Sequence, residues 1–230
     1  MLDPKKIKAI TLDLDDTLWP VWPAIERAEK ALENWLSQHA PATAVLFANP
    51  NVKAEIRHQV LRLQPKLAHN LSAVRLEMIR EALTRCSENT LLAGPAFDVF
   101  FAERNRVSLY SDALLALEFL AARFPVVALS NGNADIKKIG INRYFSANIS
   151  AQQFGVAKPH ASIFHAAADA VAACPTTVLH VGDDPEMDVL GALTAGMQAV
   201  WLNRTGVPWA HPQTPHATVS NLTELCALLD

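Results

Sequence analysis

Three cysteines in 230 residues, Cys86, Cys174 and Cys226, lie far apart and are odd in number. That spacing offers neither a zinc site nor a disulfide framework, and it predicts ordinary reduced thiols in a cytoplasmic protein. Basic charge is not in excess: 20 Lys and Arg against 23 Asp and Glu leave a formal charge of −3. Sequence-independent nucleic-acid binding needs a basic face, and a membrane surface calls for a basic amphipathic tract, so neither partner is expected. No apolar run is long enough to span a bilayer. Lys5, Lys6 and Lys8 are followed by Asp13 before the apolar stretch of a signal peptide can form. Internal repeats and low-complexity tracts are missing too. What remains is 50% hydrophobic and 19% charged, a globular composition. Its length suits one large domain, or a core with a smaller domain inserted.

Two patterns alternate along the chain. From about residue 20 to 104 the apolar residues recur at helical spacing. Ile25, Ala28, Leu32, Trp35 and Leu36 form one stripe, Val52, Ile56, Val60 and Leu63 a second, and Leu71, Val74, Met78, Ala82 and Leu83 a third behind a cap at Asn70. Pro41, Pro50, Pro65 and Pro95 punctuate them, and Pro23 suits a first turn. From about 105 onward short apolar strands alternate with helices. Strands are expected at 125–129, 147–150, 177–181 and 198–201. Helices are expected from Ser111 to Arg123 and near 134–140, 161–173 and 186–195. The strand near residues 7–14 belongs with this second pattern. The fold class is therefore α/β, a doubly wound parallel sheet built from residues 1–19 and 105–230, with 20–104 as a helical insertion. Ligands of such sheets collect beyond the carboxyl ends of the strands.

Four polar clusters stand at those ends or in loops between elements. Asp13-Leu14-Asp15-Asp16-Thr17 closes the first strand, and alternation puts Asp13 and Asp15 on one side of it. Like charges so crowded need a cation or a retained proton. Ser130-Asn131-Gly132-Asn133 offers a hydroxyl and backbone donors to an anion. Lys158-Pro159 supplies a point positive charge before a helix. Gly182-Asp183-Asp184-Pro185-Glu186-Met187-Asp188 brings more carboxylates to the same sheet edge. With Asp13 and Asp15 they suit Mg2+, which takes few carboxylates. A lysine, a hydroxyl, a metal and paired aspartates make a site for phosphoryl transfer through an aspartyl-phosphate.

In this order the four clusters resemble the haloacid dehalogenase (HAD) superfamily, with its Rossmann-like core and, in one subfamily, a helical cap after the first motif. The resemblance implies Asp13 as the nucleophile. Asp15 becomes the acid that protonates the leaving alcohol and later the base that activates water, its backbone carbonyl completing part of the metal shell. Ser130 and the Asn131 amide hold a phosphoryl oxygen, and Lys158 neutralises the charge on nucleophile and phosphoryl group. Asp183 binds Mg2+ with Asp13 and Asp15. Asp188 fixes the outer shell of the metal and Lys158, with Thr17 and Asp184 in supporting places. Ser-Asn-Gly-Asn-Ala and His-Val-Gly-Asp-Asp are similar to bacterial cytosolic phosphatases acting on FMN and on 5-amino-6-(5-phospho-D-ribitylamino)uracil in riboflavin synthesis. The expected partner is a small phosphate ester, and the expected assembly a monomer or homodimer.

Competing readings are a phosphomutase, a 2-haloacid dehalogenase, which has no leaving alkoxide to protonate, and a phospho-receiver or interaction protein. A calcium loop starting at Asp13 fails because Leu18 replaces the required glycine and Ala24 the glutamate. Elsewhere simpler roles are expected. His180 is a packed strand histidine, His165 and Asp169 a surface pair, and His211 and His216 loop residues with no clear partner. Trp35 belongs to the helical core, and Arg57, His58, Arg62 and Lys66 to a wet helix face. Trp19 and Trp22 are candidates for a hinge or substrate rim, or for simple packing.

Overall fold

A computed structural model describes residues 1–230. The chain forms two compact units, Met1–Pro20 with Ser108–Asp230, and Val21–Val107.

The first unit is organised on a six-stranded parallel sheet: β1 Ala9–Leu12, β2 Val126–Ser130, β3 Ala147–Ser150, β4 Val178–Gly182, β5 Gln198–Leu202 and β6 Ala217–Val219. Its order is β3-β2-β1-β4-β5-β6. The winding reverses between β1 and β4, where such sheets bind ligands at their carboxyl edge. β1, β2, β4 and β5 are buried along their whole lengths, as strands covered on both faces must be. Ala9, Val127, Leu129, Val178, Ala199 and Trp201 share one apolar cluster with Ile163, Phe164 and Ala167 of a covering helix. Fully burying a residue such as Phe164 contributes about 1.5–3 kcal/mol.

The second unit holds α1 Val21–His39, α2 Pro41–Phe47, α3 Pro50–Leu63, α4 Leu71–Arg85 and α5 Ala93–Arg104. Its core contains Ala28, Leu32, Leu36, Ile56, Val60, Val74, Met78, Ala82 and Leu83, most of the three expected stripes. Trp35 is only half-buried, packed against that core and stacked on His39 at 4.1 Å. Leu63, the last residue of α3, is 64% exposed because the stripe outruns the packing surface. Asn49 and Asn70 cap α3 and α4 by accepting backbone N–H bonds, each cap worth about 1 kcal/mol. Arg57, His58, Arg62 and Lys66 are all exposed. The helical unit extends to Val107, and the Arg27 guanidinium donates to the Arg106 carbonyl.

The remaining helices are α6 Ala113–Ala121, α7 Ile136–Ile139, α8 Ala151–Phe154, α9 Ala161–Asp169, α10 Gly191–Thr194 and α11 Leu222–Leu229. Several are shorter than expected. α6 starts after Asp112 rather than after Ser111, and the Asp112 carboxylate makes no cap bond because Arg204 and the Leu222 N–H take it. α9 stops at Asp169, and Ala172 adopts a left-handed φ of 52°. Near 186–195 the chain first makes a π-helical turn, Pro185–Leu190, before α10. No helix is long and apolar enough to cross a membrane.

Candidate active site

The end of β1 is fastened to β4 by the Asp13 N–H, which donates to the Val181 carbonyl at 2.9 Å. Pairing of Leu12 with Val181 and of Thr11 with His180 therefore sets Asp13 beside the loop that begins at Gly182. Lys158 arrives from the far side of β2. The Asn131 side chain grips its backbone twice: Nδ2 donates to the Lys158 carbonyl at 2.9 Å, and Oδ1 accepts from the Lys158 N–H at 2.8 Å. Asn131 thus positions the lysine loop, a role that its place in a turn sequence did not disclose.

Lys158 is almost wholly enclosed, and its Nζ lies 2.5 Å from both Asp13 Oδ1 and Asp188 Oδ1. Asp188 Oδ1 also accepts from His180 Nε2 at 3.1 Å, while Oδ2 accepts from the Asp184 N–H at 3.0 Å. Both oxygens of Asp188 are thereby committed to protein donors. Gly182 is the residue that permits this: a Cβ there would sit 2.2 Å from Asp188 Cγ.

Asp13, Asp183 and Asp188 present carboxylate oxygens within 4.8 Å of one another. Asp188 joins the carboxylate group, whereas the expected contribution of Asp15 is its backbone carbonyl, which this side-chain grouping does not include. The Asp15 carboxylate points elsewhere. Its Oδ1 accepts from Trp19 Nε1 at 2.8 Å, and its Oδ2 lies against Gly132, only 2.3 Å from where a Cβ would stand. Ser130 Oγ is 3.2 Å from that same point and accepts from the Gly132 N–H at 2.9 Å. Asp15 and the Ser130 hydroxyl therefore flank one glycine. Trp19 is fully buried and belongs to this arrangement, not to a rim, whereas Trp22 is 68% exposed.

Thr17 is buried and donates to Asp183 Oδ1 at 3.2 Å. Trp201 Nε1 donates to the Asp183 carbonyl at 2.7 Å. Asp184 turns away: it is exposed and caps the π-helical turn by accepting from the Glu186 and Met187 N–H groups at 2.8 Å. His180 is packed, as expected, with its ring edge-on to Phe164 at 5.0 Å, but it is also bonded to Asp188. A lone imidazole in a strand of apolar residues was the available signal, because a buried polar ring needs partners. His165 bonds the Ala195 carbonyl rather than pairing with Asp169, and His216 Nδ1 accepts from the Ala199 N–H.

Charge in this cluster is out of balance. Burial pushes the Asp13 carboxyl well above the ordinary range. Lys158 pulls the other way, and Asp188 and Asp183 add to the rise. Burial alone would lower the Lys158 pKa, but Asp13 and Asp188 outweigh it and hold the ammonium charged. Burial also opposes ionisation of Asp188, yet Lys158 and His180 keep it anionic, far below the usual range. Burial, followed by the charges of Asp188 and Asp16, pushes Asp183 up to about 7 against the Thr17 bond. One lysine cannot neutralise three carboxylates. With Asp188 committed to donors, Asp13 and Asp183 are the oxygens that fit a hard divalent cation such as Mg2+.

A family model for haloacid dehalogenase-like hydrolases matches residues 7–196. The chain is 31% identical over 232 residues to 5-amino-6-(5-phospho-D-ribitylamino)uracil phosphatase YigB of Escherichia coli, covering 97% of each. It is 30% identical to the phosphoserine phosphatase of Thermus thermophilus, covering 95% of this chain and 98% of that one. Among solved structures, a 2-haloacid dehalogenase from Pseudomonas syringae superposes with a TM-score of 0.93 at 35% identity, over 97% of this chain and 98% of that one. Strand order, site and sequence agree: the chain belongs to the haloacid dehalogenase-like hydrolase family.

Proposed function

We propose that this hydrolase is a Mg2+-dependent phosphatase of small metabolites that works through an aspartyl-phosphate on Asp13. The observation that carries this reading is the pair of differently employed aspartates on one loop. Asp13 is held against a lysine, while Asp15 stands apart beside Ser130 and Gly132.

Lys158 occupies Oδ1 of Asp13, which leaves Oδ2 to attack phosphorus. Ser130 and the backbone that follows it hold a phosphoryl oxygen, and Lys158 offsets the charge that accumulates there. As the P–O bond to the ester breaks, Asp15 gives its proton to the departing alkoxide. In the second step Asp15 takes a proton from water, the oxygen of that water attacks phosphorus, and the bond to Asp13 breaks to restore the carboxylate. Asp13, Asp183 and the backbone carbonyl of Asp15 would hold Mg2+, which would supply charge neutralisation and orientation for the phosphoryl group. None of these groups belongs to the helical unit, to which this reading assigns substrate choice. FMN and the ribitylaminouracil phosphate are the favoured substrates, on the motif wording and on the full-length likeness to YigB.

The Pseudomonas syringae likeness makes 2-haloacid hydrolysis the competing reading. A departing halide needs no proton, however, and so gives Asp15 no task. Purified protein with Mg2+ should release phosphate from FMN, the ribitylaminouracil phosphate or p-nitrophenyl phosphate. Asp13→Asn should lower that rate about a thousandfold or more. Halide release from 2-chloropropionate, with no phosphate release that depends on Asp13, would replace this reading by the other.

A further inference from the structure

His180 has no part in the steps above, yet it is 0% exposed in the middle of β4. An imidazole enclosed there is costly unless both ring nitrogens are bonded. Both are. Nδ1 lies 2.8 Å from the Thr11 hydroxyl and Nε2 3.1 Å from Asp188 Oδ1. Asp188 is an anion clasped by Lys158 and can only accept, so Nε2 must carry the hydrogen. The neutral ring then has a lone pair on Nδ1, and the Thr11 hydroxyl donates to it. The edge-on contact with Phe164 holds the plane of the ring.

These bonds form a circuit. Thr11 lies in β1 and Asp13 just beyond its carboxyl end, two residues further on. From Thr11 the chain of contacts runs through His180, Asp188 and Lys158 and returns to Asp13. We propose that His180 is a positioning residue: its Nε2–H fixes the Asp188 carboxylate, which in turn aims the Lys158 ammonium at Asp13. The catalytic consequence rests on the phosphatase reading above; the anchoring itself does not.

A space-filling ring and a positioning ring respond differently to two substitutions. The amide nitrogen of glutamine reaches about as far as Nε2, whereas that of asparagine reaches only as far as Nδ1. His180→Gln should keep kcat for p-nitrophenyl phosphate within about threefold of wild type, and His180→Asn should lower it about 10- to 100-fold, the usual cost of losing an orienting partner. Urea unfolding of each variant shows whether the fold is kept. Equal losses in both variants, in step with equal losses of stability, would overturn the proposal. Independently of activity, long-range 1H–15N correlation spectra of the metal-free protein should show His180 as the Nε2–H tautomer, with Nδ1 accepting a hydrogen bond. The Nδ1–H tautomer would overturn the assignment. Should the wild type release no phosphate from any ester, the phosphatase reading falls while the spectrum still decides the anchoring.

Discussion

Gly132→Ala is the sharpest test of where Asp15 stands. The backbone tolerates alanine, since Gly132 is not among the glycines with positive φ. The added methyl would lie 2.3 Å from Asp15 Oδ2, where ordinary contact begins near 3.4 Å. The carboxylate must therefore retreat by about 1 Å, and its 2.8 Å bond to Trp19 must stretch or turn with it. Misplacing a reacting group by about 1 Å costs on the order of 100-fold in rate. That loss should depend on the leaving group. An alkyl phosphate, whose alkoxide must be protonated, should lose about 100-fold in kcat/KM. An ester of an acidic phenol should lose much less at the bond-breaking step. Overpacking costs about 1–3 kcal/mol, so the variant should still fold. Steady-state kinetics with a series of leaving groups measures the difference. Equal losses across the series, or none, would show that Asp15 is not the acid.

Two further expectations concern charge. Lys158→Met leaves buried Asp13 and Asp188 without their shared cation, so activity should vanish. Urea unfolding at neutral pH should register a loss of about 3–5 kcal/mol, and an unchanged midpoint would contradict the buried pairing. Asp183, raised to about 7 in the folded protein, keeps its proton there at pH values where the unfolded chain has released it. Stability contributed by the protonated folded form is therefore lost as pH rises from about 4 to about 7. Metal-free wild type should lose ground to Asp183→Asn over that interval, and Mg2+ at pH 8 should restore the wild type more than the variant. Parallel stability curves with no Mg2+ response would refute the assignment.

Much of the core was legible because parallel strands buried on both faces are continuous apolar runs. Five of the six strands fall within a residue or two of their expected limits. β6 was not expected, since three residues show no periodicity, and α11 follows it immediately. Regular spacing marked the helices, but their ends depend on side-chain competition, as Asp112 shows by serving Arg204 instead of capping α6. In the site, residue type announced Asp13, Lys158 and Asp183. Orientation was another matter. Asp184 and Asp188 are both acids in one turn, and only the fold shows that one caps it while the other faces Lys158. The two-fold grip of Asn131 on Lys158, and the indole on Asp15, join residues or atoms whose pairing no local pattern encodes.

Two of the five tryptophans in the chain donate their indole hydrogens to the loops bearing the proposed acid and metal ligand: Trp19 to the Asp15 carboxylate and Trp201 to the Asp183 carbonyl. Both are buried, so their emission is governed by neighbours and not by solvent. The molecule thus carries its own optical probes, one bonded to each of the two loops. With Trp201→Phe and Trp19→Phe assigning the signals, stopped-flow fluorescence of the unlabelled protein can follow events at the two loops separately.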